Sequence, residues 1–319
     1  MVKTTNHRFM KIWVCLLFCC SITEIFAQKN GPVNWQHSIS ITTDNDAYLL
    51  QDNDKYYTNG LYFQYNFSHQ KQNATIVQSI EAGQALYTPR LLTFYPDSVD
   101  RPYCGYLFLT YKHLRLQQHY GLQWNVSVGT IGNNSLGQNF QNGLHHLLGL
   151  YPVTDWYKQV QVPITINAMI QYMPFIHALT QSNTAKIIPV FTANAGNVYT
   201  NAKAGAFFVL GKLNANTNSA LWNVPVYNPS KSHQSLEWFV YFYPEITLQG
   251  YNATVQGSSS NTSSTVAGTP EKWMYQQNWG IVLAQGHWMG KIEIVYQTKE
   301  CITQYLPQRY ASIQLTYCF

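Results

Sequence analysis

The residues whose types and spacing could do chemistry fall in two places. The first is Thr43 to Gly60, which holds Asp44, Asp46, Asp52 and Asp54 together with the amides Asn45, Asn53 and Asn59. Only 10% of the chain is charged, so this is a local concentration of hard oxygen ligands. Such oxygens suit calcium or magnesium better than zinc or copper. The stretch is not an EF-hand loop, which needs Gly at its sixth position and Glu at its twelfth. Asp and Asn also favour solvated turns for reasons of their own, and the cluster alone leaves both readings open. The second place is Asn139 to Leu150, with Gln141, His145 and His146. Its Leu144, Leu147 and Leu148 lie at helical spacing, and Gly149 is placed to end a short helix. Adjacent residues on a helix point about 100° apart, so His145 and His146 face different ways. Gln141 and His145, four apart, share a face. A histidine pair near an apolar stripe is by itself more often packing or surface than catalysis. Beside a hard-ligand cluster it acquires a use, because a general base and a bound divalent cation together suffice to hydrolyse an ester.

Both places lie between segments of period two. In Gly60 to Ser68, Leu61, Phe63, Tyr65 and Phe67 alternate with Tyr62, Gln64, Asn66 and Ser68. In Gly121 to Gly129, Leu122, Trp124, Val126 and Val128 alternate with Gln123, Asn125 and Ser127. Ala311, Ile313, Leu315, Tyr317 and Phe319 repeat the pattern at the end of the chain. This period assigns strands. The full reading is about twelve strands, at 36–44, 60–68, 74–82, 104–113, 119–129, 160–174, 186–195, 203–212, 235–249, 273–285, 288–298 and 308–318. The helix falls in a long connection from Thr130 to Gln159, and the Ser/Thr/Gly-rich Gln249 to Pro270 reads as a loop.

Composition selects among the all-β architectures. Aromatics make up 15% of the chain, while charge is far below the roughly 25% of ordinary soluble domains. The polar partners of the alternating residues are mostly Gln, Asn, Ser and Thr, where a soluble sandwich would place charge. A transmembrane antiparallel β-barrel has this demand, with lipid on one face and a polar lumen on the other. An even strand number puts both termini at the periplasmic end and the Asp44 to Gly60 connection at the outer rim. Residues 1–27 read as a signal peptide, from Lys3, Arg8 and Lys11, the apolar run Ile12 to Thr23 and the site after Ala27. Residues 28–319 then form one domain, expected to be a monomer in the bacterial outer membrane. Cys104, Cys301 and Cys318 imply no disulfide framework. The formal net charge of +5 is scattered and offers no basic patch for nucleic acid.

Several stretches in order carry a family likeness: Asn45-Asp46, Asp54 to Gly60, Asp100 to Tyr106, Gly129 to Gly132, Gly137-Gln138, Gln141 to His145, Asp155-Trp156 with Gln159, Thr200 to Gly205, Thr247 to Gly250 and Tyr296 to Glu300. On these the chain resembles the outer-membrane lipid A 3-O-deacylases. The resemblance implies a twelve-stranded barrel whose site lies near the outer end, and a Ca2+-dependent hydrolase that removes the 3-position acyloxyacyl chain of lipid A in lipopolysaccharide. By that resemblance His145 is the general base and Asp46 a metal ligand. Asn45 and Thr58 complete the site around the metal and the substrate carbonyl. The chain departs from the family pattern at Tyr151, where a Glu stands six residues after the histidine; Asp52, Asp54 and Asp155 are the carboxylates left to replace it. The competing readings are an outer-membrane porin or binding barrel, which shares every barrel feature, and an outer-membrane phospholipase, which needs a serine nucleophile beside its histidine.

Overall fold

The structure, a computed structural model, describes residues 37–319 except 51–54, 72–73, 91–98, 148, 150–151, 154–155, 157–158, 225–235 and 259–266. The signal peptide, Asp52, Asp54, Tyr151 and Asp155 therefore lie outside the described residues. Twelve antiparallel strands close into a barrel: β1 (His37–Asn45), β2 (Tyr56–Lys71), β3 (Ala74–Thr88), β4 (Cys104–Leu116), β5 (Tyr120–Ile131), β6 (Val162–Pro174), β7 (Ala185–Gly196), β8 (Tyr199–Lys212), β9 (Glu237–Asn252), β10 (Trp273–Gln285), β11 (Trp288–Gln297) and β12 (Gln308–Cys318). Each strand pairs with its neighbours in sequence, and β12 closes on β1 with Ser38 opposite Cys318. Closure leaves no open sheet edge, which is what a strand protein needs in lipid.

All twelve expected strands are present. β3 runs six residues beyond its expected end, to Thr88, and β2 starts at Tyr56 rather than Gly60. A bulge between Tyr57 and Asn59 breaks the register there, so the period-two pattern becomes readable only beyond it. Alternation sorts the two faces as expected. Ile39, Phe63, Trp124, Val126, Ile292 and Leu315 are exposed on the outer wall, while Ser38, Ser40, Asn66, Ser79 and Thr316 are buried inside. No helix among the described residues is long and apolar enough to cross a membrane.

The interior is packed in two different ways. At the end that carries the termini, inward side chains of most strands, among them Val77, Leu116, Met173, Ile188, Phe239 and Val282, form one apolar cluster. Ala220 and Val224, from the connection after β8, are buried in it, and Leu221 and Trp222 pack against it. Glu237 fastens this inturned segment: its carboxylate accepts from the backbone N–H of Asn214 (3.0 Å) and of Ala220 (2.8 Å) and from the Ser219 hydroxyl (2.8 Å). Toward the opposite end a second cluster, rich in tyrosines and including Tyr57, Tyr87, Tyr106 and Val162, lies beside buried polar groups. There Arg101, wholly buried, donates to Glu300 (2.7 Å) and Thr254 (3.1 Å) and lies 4.0 Å over the Tyr87 ring. Burial works against its charge, but Glu300 and Tyr87 outweigh that and raise the guanidinium above its ordinary value.

Candidate functional site

The register places the first group of candidate residues on the outer wall, at the rim away from the termini. Asn45, Asn59, Leu86 and Gly105 are successive cross-strand partners on β1, β2, β3 and β4. Directly opposed residues share a face. The next row, Asp44, Gly60, Ala85 and Tyr106, therefore faces the interior. There Asp44 accepts from the Tyr57 hydroxyl at 2.7 Å. Thus the chain separates the acidic stretch: Asp44 joins an interior tyrosine network, and Asn45 and Asp46 turn outward with the rim.

Asn45 ends β1 and caps the 3-10 turn Asp46–Leu49, its side-chain oxygen accepting from Ala47 N–H at 2.7 Å. Asp46 is buried in that turn, and its Oδ2 accepts from Lys55 N–H at 3.0 Å. The turn packs on β12 and β2. Thr58 is the extra residue of the β2 bulge, one position from the partner of Asn45. Its hydroxyl is 2.6 Å from that of Thr88. The bulge follows Tyr56, a buried residue with φ of 63°, in the left-handed region that a bulky side chain rarely adopts. The Tyr56 hydroxyl donates to Asp100 (2.7 Å) and accepts from Leu306 N–H (3.2 Å), so two other rim segments hold the strained residue in place. Sequence reasoning missed Tyr56, because a left-handed tyrosine leaves no mark on composition or period.

The histidine arrives on a helix, α1 (Gly137–Leu147), that packs on β4 and β3. Glycines make the approach close. A Cβ on Gly105 would stand 2.2 Å from Ser135 Oγ and 3.2 Å from Gly137 Cα; one on Gly137 would meet Trp156 at 2.9 Å and Leu86 at 3.1 Å. Leu86, Tyr103, Val153 and Trp156, with Phe140, pin the start of the helix to the wall. Asn142 accepts from Val153 N–H (2.8 Å) and donates to its carbonyl (3.2 Å). The helix ends before Gly149, whose φ is 69°. Its buried residues are Gly137, Gln141 and His145. His146 is exposed, and Leu147 is 78% exposed. The polar face, with Gln141 and His145, is thus the covered one, and Leu147 meets the surroundings. Leu148 and Leu150 lie outside the described residues.

Gln141 is held in one orientation. Its Oε1 accepts from the Trp156 indole N–H at 2.7 Å, which leaves Nε2 buried without a partner among the described residues, one turn before His145. With strands about 4.8 Å apart, roughly 10 Å separates Asn45 from Leu86 beneath the start of α1. His145 follows Gly137 by eight residues, about 12 Å of helix. The structure thus sets Asn45, Asp46 and Thr58 close in register at the ends of β1 and β2, and packs α1, which carries Gln141 and His145, on β3 and β4 at the same rim.

The donors can be tested against calcium, which takes six to eight oxygens. The Asp46 carboxylate, the Asn45 amide oxygen and the Thr58 hydroxyl are hard oxygens on one rim, and fit such an ion in kind. They supply one carboxylate. Among the described residues no three His, Cys, Asp or Glu side chains form a metal cluster. The four positions that bear on a second carboxylate are those outside the described residues.

The sequence model of the outer-membrane protein LpxR matches residues 12–319. Among solved structures, LpxR from Salmonella typhimurium aligns with a TM-score of 0.72 at 20% identity, over 88% of this chain and 100% of that one. The β domain of the Bordetella autotransporter BrkA aligns at 0.46 and 9% identity, over 90% and 100%, and the KdgM porin at 0.41 and 6%, over 88% and 99%. No curated protein matches the chain.

Proposed function

Because the chain belongs to the LpxR family of outer-membrane proteins, we propose that it is a lipid A deacylase, which hydrolyses the ester of the 3-position acyloxyacyl chain. The observation that carries this reading is the buried Gln141–His145 face of α1 on the outer wall of the barrel, on the rim that also bears Asn45, Asp46 and Thr58. A site on the outer wall meets membrane lipid, where a site in the lumen would meet solutes. Apolar side chains exposed on the two elements that carry these residues, Tyr48, Leu50 and Leu147, suit acyl chains. In this reading the site opens toward the outer leaflet.

His145 takes a proton from water as the water oxygen bonds to the ester carbonyl carbon. The bond between the carbonyl carbon and the sugar oxygen then breaks, and the same imidazole returns the proton to that departing oxygen. The products are a free 3-hydroxyl and an acyloxyacyl fatty acid. Gln141, fixed by Trp156, orients His145 and offers its Nε2 donor to the site. Asn45 sits at the end of β1 where the carbonyl would lie. Asp46 and Thr58 would hold calcium, which when bound polarises the carbonyl and stabilises its developing negative charge.

The porin reading has a specific observation against it, namely the apolar packing of the interior by the Ala220 to Val224 segment. Mass spectrometry of lipid A from cells with and without the gene tests the proposal. Lipid A lighter by one acyloxyacyl group is expected only with the gene, and only with His145 intact. Unchanged lipid A on incubation with purified, folded, calcium-supplied protein would sink it.

A further inference from the structure

A second concave surface lies on the same rim, on the other side of β1 from α1. It is a groove of about 550 Å³ bounded by Ile246 of β9, Trp273 and Tyr275 of β10, Tyr296 and Lys299 at the end of β11, and Pro307. Its floor is outer wall: Trp273 is 61% and Ile246 53% exposed. Aromatic girdles are ordinary on barrels, but they stand on a convex wall. Here residues 269–272 and 298–302 border it. They are tied by backbone bonds from Glu271 N–H to the Glu300 carbonyl (2.8 Å), from Ile302 to Thr269 (2.9 Å) and from Thr298 to Tyr275 (2.9 Å). The border is thus a built edge.

The charges at this edge are mainly cationic. Lys299 and Glu271 line the groove, and Lys272 is exposed beside them. Arg309 on β12 lies directly opposite Tyr296, its guanidinium 5.5 Å from the centre of that ring. Arg309 also faces the candidate site. It is two residues before Ala311, which pairs with Asn45, so the two are on the same face roughly 8 Å apart by strand spacing and rise. An apolar floor with cations along the water-side edge is what an anionic lipid requires, its chains on the wall and its headgroup above.

We infer that this groove is the headgroup subsite for a phosphorylated glycolipid, with Lys299 and Arg309 on phosphate and Trp273 and Tyr296 against the sugar and chains. It rests on the proposed function in that the lipid held there is the one presented to His145. Lipid enters from the bilayer, is registered by its phosphate at Arg309, and lays its ester toward Asn45. The groove thereby selects phosphorylated over dephosphorylated substrate.

The test separates binding from turnover. Full-length protein carrying His145→Ala, folded by the criterion of heat-modifiable migration, is titrated in detergent micelles with bisphosphorylated lipid A and with the same lipid after phosphatase treatment. The phosphorylated lipid is expected to bind about tenfold tighter or more, and Lys299→Ala with Arg309→Ala to erase the difference. Equal binding of the two lipids, or a preference that survives the double substitution, would overturn the inference. So would full competition by phosphatidylglycerol, which makes the groove a site for any anionic lipid. In otherwise native protein the double substitution should raise KM and leave kcat unchanged. Should no lipid be hydrolysed while the phosphate preference stands, the deacylase reading fails and the subsite does not.

Discussion

His145 and His146 are chemically identical neighbours, and their surroundings alone separate them. His145 is 7% exposed on the face that meets the barrel, one turn from a glutamine whose amide is oriented by an indole. His146 points away. General-base assistance is typically worth 10²- to 10⁴-fold, so His145→Ala should lose activity by about that factor and His146→Ala should lose little. A side-by-side assay of the two folded variants decides it, and a dead His146→Ala beside a live His145→Ala would refute the assignment. Asp46 belongs to the same scale. Its buried carboxylate is the one acidic side chain among the described residues proposed to ligate metal. Chelation should abolish hydrolysis and added calcium restore it, whereas Asp46→Ala should remain inactive at any calcium concentration tried. Hydrolysis that persists in chelator would remove calcium from the mechanism.

At the scale of elements, the site depends on how closely α1 approaches the wall. Gly105 and Gly137 set that approach, since a Cβ on Gly105 collides with Ser135 and comes within 3.2 Å of the helix backbone. Gly105→Val should push α1 outward while leaving the pairing of β3 with β4 intact. Misplacement by an ångström can cost about 10²-fold. The expected result is a heat-modifiable barrel with activity reduced to that extent; full activity would show that helix seating does not position the base. The bulge at Thr58 is a second such device. It turns an extra residue onto the rim beside Asn45, and the left-handed Tyr56 before it stays in place through Asp100 and Leu306.

At the scale of the whole molecule, the proposed site uses the outer wall of the barrel and leaves the lumen aside. Apolar side chains from most strands, joined by the segment that Glu237 fastens, fill the end near the termini. Purified protein in a planar bilayer should therefore show no porin-like conductance. Glu237→Ala leaves two buried donors, Ser219 Oγ and Ala220 N, unpaired at about 1–3 kcal/mol each, enough to lower the temperature of the heat-modified transition and loosen the segment. Ohmic conductance from the unaltered protein would restore the porin reading.

The sequence by itself determined the wall and supplied the residues on which the proposed chemistry rests. Twelve strands were legible because residues on a strand alternate strictly between two unlike solvents, lipid and lumen, and side chains record that choice. The sharing of a face by Gln141 and His145 followed from helix geometry alone. What only the tertiary structure decided depends on partners far apart in the chain. Period two failed before Gly60 because a bulge shifts its phase, and the tyrosine that supports the bulge is held from residues 100 and 306. Leucine spacing gave α1 its helix but not its buried face, which the structure assigns to Gln141 and His145 while Leu147 stays exposed. The plug and the groove had no local signal at all. Each is made where several strands and connections meet, and hydrophobic burial between distant segments, unlike periodicity, is not written in any one of them.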